Sequence, residues 1–306
     1  MLRRDFLAAS LLAGAYPTLR AADHPTATFP TDARDRLAVS TYPFRSLIKG
    51  VARDADGMNK SGLTLEQFAQ TVPERLKVHG LEPWSNHFES TETSYVQGLA
   101  VAFSRAGLRV VNIAVDIPVH LCDNDPQQLT TGLDQYRKWV DAAVILKSPG
   151  IRVHVPTGPE RKSDLQCALQ TLGQLAKYGA EKKIVINLEN DDPKTEDPFS
   201  IVEILKSVNS PYLRALPDFC NSMLIADDTD YNDRGLAALF KYAYNISHVK
   251  DSESDRGKLY NVDMHEIFDI AKRARYKGYF SMEWEGTGDP YQGTAALIRK
   301  SMESLS

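Results

Sequence analysis

The chain has 306 residues, of which 42% are hydrophobic and 25% are charged, a composition that is typical of globular proteins with a sizeable core. Its formal net charge of −4 and the lack of a basic stripe argue against a nucleic-acid partner, because binding to phosphate backbones needs clustered positive charge. No stretch reaches the roughly 18 consecutive apolar residues of a transmembrane helix, so we predict no membrane span. The cysteines are widely spaced and predict neither a disulfide framework nor a cysteine-based metal site; they are Cys122, Cys167 and Cys220.

The N-terminus has the pattern of a targeting segment. The twin arginines Arg3 and Arg4 precede Phe-Leu and a short, largely apolar stretch at 8–15. Charged, apolar and then small residues in this order indicate a signal peptide, and a twin arginine indicates bacterial Tat export to the periplasm. A frayed amphipathic N-terminus is the alternative. We assign residues 1–35 to a signal peptide and linker, and residues 36–306 to the folded domain.

From residue 37 onward, short apolar runs alternate with longer helical patterns. Several runs are rich in β-branched or aromatic residues, as is typical of buried strands. The eight predicted strands are at 37–42, 80–84, 110–115, 151–155, 184–188, 213–216, 246–249 and 279–284. Eight strand–helix units over this length predict an α/β protein with a single (β/α)8 TIM barrel. A doubly wound open sheet is the alternative, but the sequence lacks the glycine-rich turn that normally follows its first strand.

Helical periodicity fills the segments between these strands. Thr64 and Gln67 form a capping-box pattern that opens the first helix, and we expect Pro73 to break or kink it. Apolar residues three and four apart recur in the later segments. We predict further helices at 94–106, 127–146, 164–178, 198–208, 233–244, 264–276 and 291–302.

Four consecutive predicted strands end in a side chain that can bind a metal ion. The four residues are Glu189, Asp218, His248 and Glu283, and the C-terminal ends of barrel strands converge on one mouth. Carboxylates that share a buried mouth repel each other and take up protons unless a cation is present. Three carboxylates and one imidazole suit Mn²⁺, Mg²⁺, Co²⁺ or Zn²⁺, so we predict one divalent metal ion. Glu285 shares the strand face of Glu283 and is the competing ligand on the eighth strand.

The strings around these residues resemble a known family. They are Leu-Glu-Asn-Asp at 188–191, Leu-Pro-Asp-Phe-Cys-Asn at 216–221, His-Val-Lys-Asp at 248–251 and Ser-Met-Glu-Trp-Glu-Gly at 281–286. From about residue 37 the chain is similar to the xylose isomerase-like TIM-barrel superfamily, and more closely to its sugar phosphate isomerase/epimerase branch. The resemblance implies that the four strand-end residues are metal ligands and that Glu189 and Glu283 are the acid/base pair. It also implies proton transfer through a metal-bound enediolate.

The sequence departs from the family pattern close to these ligands. Asn221 stands where many epimerases have a histidine three residues after the strand-six aspartate, and Asp191 replaces the histidine of Glu-Asn-His. No arginine lies at the usual offset after His248, although Arg256 lies further on. These differences leave the predicted ligands intact but argue against a free-ketose 3-epimerase.

Several other residues near the predicted strand ends are candidates for substrate binding. Lys250 lies two residues past His248 on the same strand face, where it can neutralise an oxyanion or form a salt bridge with a neighbouring carboxylate. Trp84 can stack on a sugar face or pack against the outer helices. For His154 the alternative is a hydrogen-bonded barrel histidine, and for His87 a loop position away from the substrate. The full set is Lys250, His154, Asn221, Glu82, His87, Arg256 and Trp84.

These patterns together predict an isomerase or epimerase with a small-molecule sugar substrate. A lyase or hydrolase that acts on 3-keto-glycosides is the first alternative, and a sugar-binding barrel without activity is the second. A nuclease of the related AP-endonuclease branch is disfavoured, because it needs more histidines and a positive groove. A homo-oligomer is compatible with the sequence.

Overall fold

The computed structural model describes most of the predicted barrel. The described residues are 24–50, 62–119, 121–122, 125–158 and 164–305. The twin arginines and the apolar stretch after them lie outside these residues, so the assignment of a signal peptide stays a prediction.

Short strands alternate with longer helices along the described part of the chain. The strands are β1 (Leu37–Ser40), β2 (Gly80–Glu82), β3 (Arg109–Val110), β4 (Ile113–Ala114), β5 (Gly150–Val153), β6 (Val185–Glu189), β7 (Leu213–Leu216), β8 (Ile246–Val249), β9 (Ser252–Asp255), β10 (Lys258–Asn261) and β11 (Tyr279–Met282). The helices are α1 (Leu65–Leu76), α2 (Thr93–Arg105), α3 (Pro126–Leu146), α4 (Leu165–Lys182), α5 (Pro198–Val208), α6 (Met223–Ala226), α7 (Thr229–Leu239), α8 (Met264–Arg273) and α9 (Pro290–Leu305). None of the helices in the described part combines the length and apolarity that crossing a membrane requires.

Eight strand positions close into one parallel barrel. The strands pair in the orders β3-β2-β1-β11-β8 and β4-β5-β6-β7, and β3 and β4 are two pieces of one barrel strand. A bridge between Trp84 and Ala114 extends the pairing of β2 to β4, and a bridge between Asp218 and His248 joins the end of β7 to β8. These contacts complete the ring, so the predicted single (β/α)8 barrel is confirmed.

Polar side chains fill part of the barrel interior. Asn187 donates to Asn112 over 3.2 Å, and Asn112 donates to Glu82 over 2.7 Å. All three residues are completely buried. Gly150 faces the same space, since an added Cβ would lie 2.7 Å from Asn187 Nδ2 and 3.1 Å from Asn245 Nδ2. This hydrogen-bonded interior supports the mouth of the barrel from below.

Helix α1 begins as the sequence predicts but does not end where it predicts. The capping box between Thr64 and Gln67 is present in full. We expected Pro73 to break or kink the helix; a break is wrong, because α1 continues through Pro73 to Leu76. Proline removes one backbone hydrogen bond, and burial of Phe68 and Val72 against the core holds the helix together across this position.

A two-stranded hairpin that the sequence analysis did not predict follows β8. Strands β9 and β10 are antiparallel, and their turn contains Arg256 and Gly257, with φ of 48° and 81°. Two successive residues with positive φ are typical of the tight turns that join hairpin strands. The short polar strands lack the apolar run that identifies a buried strand, which is why the periodicity missed them.

The expectation that the cysteines form no disulfide is wrong for one pair. Cys122 and Cys167 are bonded, with their Cα atoms 5.7 Å apart, while Cys220 is buried and has a free thiol. The bond joins the loop after β4 to the first turn of α4. A separation of 45 residues gives no spacing signal in the sequence, so only the fold brings these two thiols together.

We expect the double variant Cys122→Ser/Cys167→Ser to be less stable than the wild type. A cross-link over a loop of this length stabilises the fold by roughly 2–4 kcal/mol, mainly by restricting the unfolded chain. Urea unfolding monitored by circular dichroism would measure the loss. Adding a reductant should destabilise the wild type and leave the double variant unchanged. Equal stability of the two proteins under oxidising conditions would contradict this prediction.

Candidate metal centre

Four side chains meet at the C-terminal mouth of the barrel. Glu189 ends β6, Asp218 lies two residues after β7, His248 lies in β8 and Glu283 directly follows β11. One ligand atom from each lies within 4.8 Å of those of the other three, and all four residues are buried. The structure therefore brings together the four residues that the sequence predicted as metal ligands.

His248 stands at the centre of this cluster. Its Nδ1 lies 2.7 Å from Glu189 Oε1 and 3.2 Å from Glu283 Oε2. Its Nε2 lies 2.9 Å from Glu82 Oε2. A carboxylate that accepts from one ring nitrogen orients the ring and leaves the other nitrogen for a metal ion. Glu82 thus directs Nδ1 toward the cluster.

Glu82 lies inside the barrel and not at the substrate-facing position that the sequence predicted. The sequence suggested a substrate contact, but Glu82 is completely buried, and both of its oxygens are bound, one to Asn112 and one to His248. Burial alone would raise the pKa of Glu82, but the charge and hydrogen bond of His248 outweigh it, so this pKa is lowered. The residue positions His248 and lies below the substrate space.

Asp218 presents one free oxygen to the cluster. Its Oδ1 accepts from the backbone amides of Cys220 and Asn221 over 2.9 and 2.8 Å. Its Oδ2 is buried and has no hydrogen-bond partner among the described residues, and Lys250 Nζ lies 3.7 Å away. An unsatisfied buried carboxylate oxygen is costly. A divalent cation between the four side chains would remove this cost, so the cluster is suited to a metal ion.

Burial of these carboxylates opposes their ionisation. It raises the pKa of Glu189 to about 7 and that of Asp218 to about 6. Burial acts in the same direction on Glu283, but the positive charges of His248 and Lys250 outweigh it and hold the pKa of Glu283 below its ordinary value. Neighbouring carboxyl groups with different affinities for a proton are a common arrangement in acid/base catalysis.

Arg152 is the main residue of the site that the sequence analysis missed. Its Nε lies 3.0 Å from Glu189 Oε2, and its Nη1 pairs with Asp116 and lies 2.8 Å from His154 Nε2. The only available signal was a charged residue within the apolar run Ile-Arg-Val-His-Val at 151–155, where the alternation of side chains places Arg152 and His154 on one face.

A second group of potential ligands lies beside the centre. It comprises His154, Asp191 and Glu196. Glu196 is already occupied, because it accepts from the backbone amides of Val155 and Asp192 over 2.7 and 2.8 Å and from His154 over 3.1 Å. This group connects the loops after β5 and β6 by hydrogen bonds. His154 therefore has the hydrogen-bonded environment that was the alternative to substrate binding.

Lys250 and Asn221 lie directly beside the four ligands. Lys250 Nζ is 2.9 Å from Asn221 Oδ1, 2.9 Å from Glu253 Oε2 and 3.4 Å from Glu283 Oε2. Glu285, the competing ligand, is 3.8 Å from Lys250 and is not part of the cluster. Burial raises the pKa of Glu285 to about 8.

Three other candidates for substrate binding lie elsewhere. Trp84 is 4% exposed, and its indole donates to Asp116, so it packs against the wall of the mouth. His87 is 2% exposed and is hydrogen-bonded through Nδ1 to Thr41. The Arg256 side chain is 92% exposed at the hairpin turn, near Asp255. The burial of Trp84 and His87 and the outward position of Arg256 argue against the substrate contacts that the sequence predicted.

Comparison with known proteins identifies relatives of this fold. The family described as "Xylose isomerase-like TIM barrel" matches residues 74–306. No curated protein sequence gives a significant match.

Several solved structures share the fold over nearly their full length. A xylose isomerase-like TIM barrel protein from Mycobacterium smegmatis in complex with magnesium has a TM-score of 0.67 and 16% identity, covering 88% of this chain and 97% of the other. D-psicose 3-epimerase with D-tagatose from Clostridium cellulolyticum H10 has a TM-score of 0.66 and 14% identity, covering 88% and 98%. The 3-keto-D-glucoside 4-epimerase from E. coli has a TM-score of 0.62 and 16% identity, covering 84% and 99%. At such identities the likeness establishes the fold alone.

We expect Asp218→Asn to bind divalent metal at least about 100-fold more weakly than the wild type, because a neutral amide replaces the free carboxylate oxygen. Isothermal titration with Mn²⁺ would measure the affinity, and elemental analysis of the purified protein would measure the metal content. Asp134→Asn, on the exposed face of α3, is the matched control and should bind like the wild type. Equal metal affinity in Asp218→Asn would contradict the assignment.

Metal affinity should increase with pH between about 5 and 8, because binding must displace protons from the carboxyl groups whose pKa is raised. The metal-free protein should show the opposite trend. Its folded state holds protons on Glu189 and Asp218 that the unfolded chain releases at lower pH, so its stability falls as pH rises through the raised pKa values. Titration with Mn²⁺ and urea unfolding of chelated protein at several pH values would measure both. A metal affinity that is independent of pH over this range would contradict the prediction.

Proposed function

Since the chain belongs to the xylose isomerase-like TIM barrel family, we propose that it is a divalent-metal-dependent isomerase or epimerase acting on a sugar or sugar derivative. The observation that carries the proposal is the cluster of Glu189, Asp218, His248 and Glu283, in which Asp218 Oδ2 is buried and has no hydrogen-bond partner among the described residues. Sugar epimerases among the structural neighbours support the same class of reaction.

A metal ion held by these four residues would polarise a carbonyl and an adjacent hydroxyl, making the neighbouring C–H more acidic. Glu189 and Glu283 supply the two carboxyl groups for proton transfer. They approach the cluster from β6 and from the end of β11, which are separated in the ring by β7 and β8. One glutamate removes a proton from carbon on one face of the sugar, and the other returns a proton from the opposite face.

Each of these glutamates lies beside a buried cationic side chain. Arg152 contacts Glu189 Oε2 at 3.0 Å, and Lys250 lies 3.4 Å from Glu283 Oε2. Arginine stays protonated at all ordinary pH values, so it favours the ionised form of Glu189 without exchanging protons itself. Lys250 is 4% exposed and provides the positive charge that stabilises a developing oxyanion on the substrate.

We also propose that the protein works outside the cytoplasm, as the twin-arginine pattern predicts. The disulfide between Cys122 and Cys167 supports this location, because structural disulfides persist mainly in oxidising compartments such as the periplasm. The possible homo-oligomer stays a prediction.

Glu189→Gln should abolish turnover while weakening metal binding only in part, since the amide keeps an oxygen ligand but cannot carry the proton. A loss of at least about 100-fold in rate is expected for a missing acid/base group. The assay is deuterium incorporation from D₂O with Mn²⁺ over a panel of ketoses and 3-keto-glycosides, followed by NMR. Glu203→Gln, on an exposed position of α5, is the matched control.

The outcomes of this assay separate the possible functions. Deuterium incorporation without bond cleavage supports isomerisation or epimerisation. Release of an aglycone supports the lyase or hydrolase alternative. Wild-type protein that holds no metal and exchanges no proton over the whole panel would favour a binding protein. Near-normal turnover by Glu189→Gln would show that the acid/base assignment is wrong.

A further inference from the structure

A large cavity opens beside the metal centre and has no role in the proton transfer described above. Its volume is about 1230 Å³, and most of its wall is formed by helix α3 and by the loops that follow β2, β4, β5 and β6. Sites for drug-sized ligands typically measure roughly 300–1,000 Å³. The space is therefore larger than one sugar ring requires.

The cavity lies one side chain away from the metal ligands. None of the four ligands lines it, but Asp116, His154 and Asp191 do. The Arg152 guanidinium contacts Glu189 on one side and Asp116 on the other. Asp191 is also 3.5 Å from Asn221, which itself contacts Lys250. Arg152 and Asn221 therefore link the metal ligands to the wall of the cavity by direct contacts.

The polar part of the lining is rich in carboxyl groups, which come from Glu89, Asp116, Asp191, Asp192 and Glu196. It also contains His154 and neutral side chains such as Asn86 and Thr195, and no lysine or arginine is among the described residues that form the walls. Burial opposes ionisation of Asp116, but the charge of Arg152 and contacts from His154 and Trp84 outweigh it and hold this pKa well below its ordinary value. Asp116 pairs with Arg152, and Glu196 pairs with His154. A carboxylate has about four acceptor sites, so these groups can still accept hydrogen bonds from hydroxyls. Carboxyl groups outnumber basic side chains among the described lining residues, which disfavours a phosphate.

Three aromatic side chains form an apolar part of the wall. Phe88 and Trp139 line it together with Tyr136, and the Phe88 and Trp139 rings meet edge to face with centroids 5.0 Å apart. All three side chains are at least nine-tenths buried, so packing holds this part of the wall in place. Aromatic surface beside a small number of hydrogen-bonding groups suits a sugar, which has an apolar face and a rim of hydroxyls.

From the size, charge and position of this cavity, we propose that it is a second sugar subsite, so that the substrate is a neutral disaccharide-like glycoside rather than a sugar phosphate. The reacting unit occupies the metal centre, and the attached unit lies between the carboxylates and the aromatic wall. This inference rests on the proposed function for the role of the first unit. The subsite itself depends only on the cavity.

Equilibrium binding tests the subsite independently of turnover. The Mn²⁺-loaded protein is titrated calorimetrically with glucose, glucose 6-phosphate and five neutral disaccharides: sucrose, maltose, cellobiose, lactose and trehalose. We expect at least one disaccharide to bind at least about tenfold more tightly than both monosaccharides. Thr195→Trp and Asn86→Trp fill the cavity from two different loops, and each should weaken that binding by about tenfold or more. Thr131→Trp, at an exposed position of α3, is the matched control and should bind like the wild type.

The subsite would be overturned by finding that no disaccharide binds more tightly than the monosaccharides, or that both cavity-filling variants bind the preferred disaccharide as well as the wild type does. Tighter binding of glucose 6-phosphate than of every disaccharide would also overturn it. Circular dichroism confirms that each variant is folded, and the two blocking variants provide independent readings.

Tight disaccharide binding without deuterium exchange in any ketose or 3-keto-glycoside would overturn the proposed reaction and retain the subsite. Deuterium exchange in monosaccharides without a preference for binding disaccharides would overturn the subsite and retain the proposed reaction.

Discussion

The arrangement of side chains at the C-terminal mouth of the barrel depends on the mutual repulsion of three buried carboxylates around one imidazole. Glu189, Asp218 and Glu283 approach each other within 4.8 Å, where charges interact far more strongly than in water. His248, Arg152 and Lys250 offset part of that repulsion. They still leave one oxygen of Asp218 without a hydrogen-bond donor among the described residues. A divalent cation between these side chains would complete the balance of charge.

The support for this centre extends down into the barrel. Glu82 orients the His248 ring, Asn112 holds Glu82, and Asn187 holds Asn112. Each link is a hydrogen bond between completely buried groups, and removing one partner leaves the other unsatisfied in a medium of low polarity. The orientation of the imidazole thus depends on residues that lie well below the substrate space.

Sequence alone predicted the parts of this protein that repeat along the chain. Eight alternating strand and helix patterns predicted the barrel, and the residues at four strand ends predicted the cluster, because both predictions depend on local periodicity. Arg152, the Cys122–Cys167 bond and the roles of Glu82 and His87 were missed, since each depends on which distant residues become neighbours. Their side chains have no local pattern that distinguishes a buried hydrogen bond from a contact with substrate.

The mouth of the barrel is divided between two sets of loops. The ligands and Lys250 come from β6 to β11, and Lys250 is tied to the hairpin through Glu253. The walls of the cavity come mainly from the loops after β2, β4, β5 and β6. The proposed reaction centre and the proposed subsite therefore depend on largely separate stretches of the gene. Insertions or substitutions in the earlier loops can therefore reshape the cavity and leave the later ligand residues untouched.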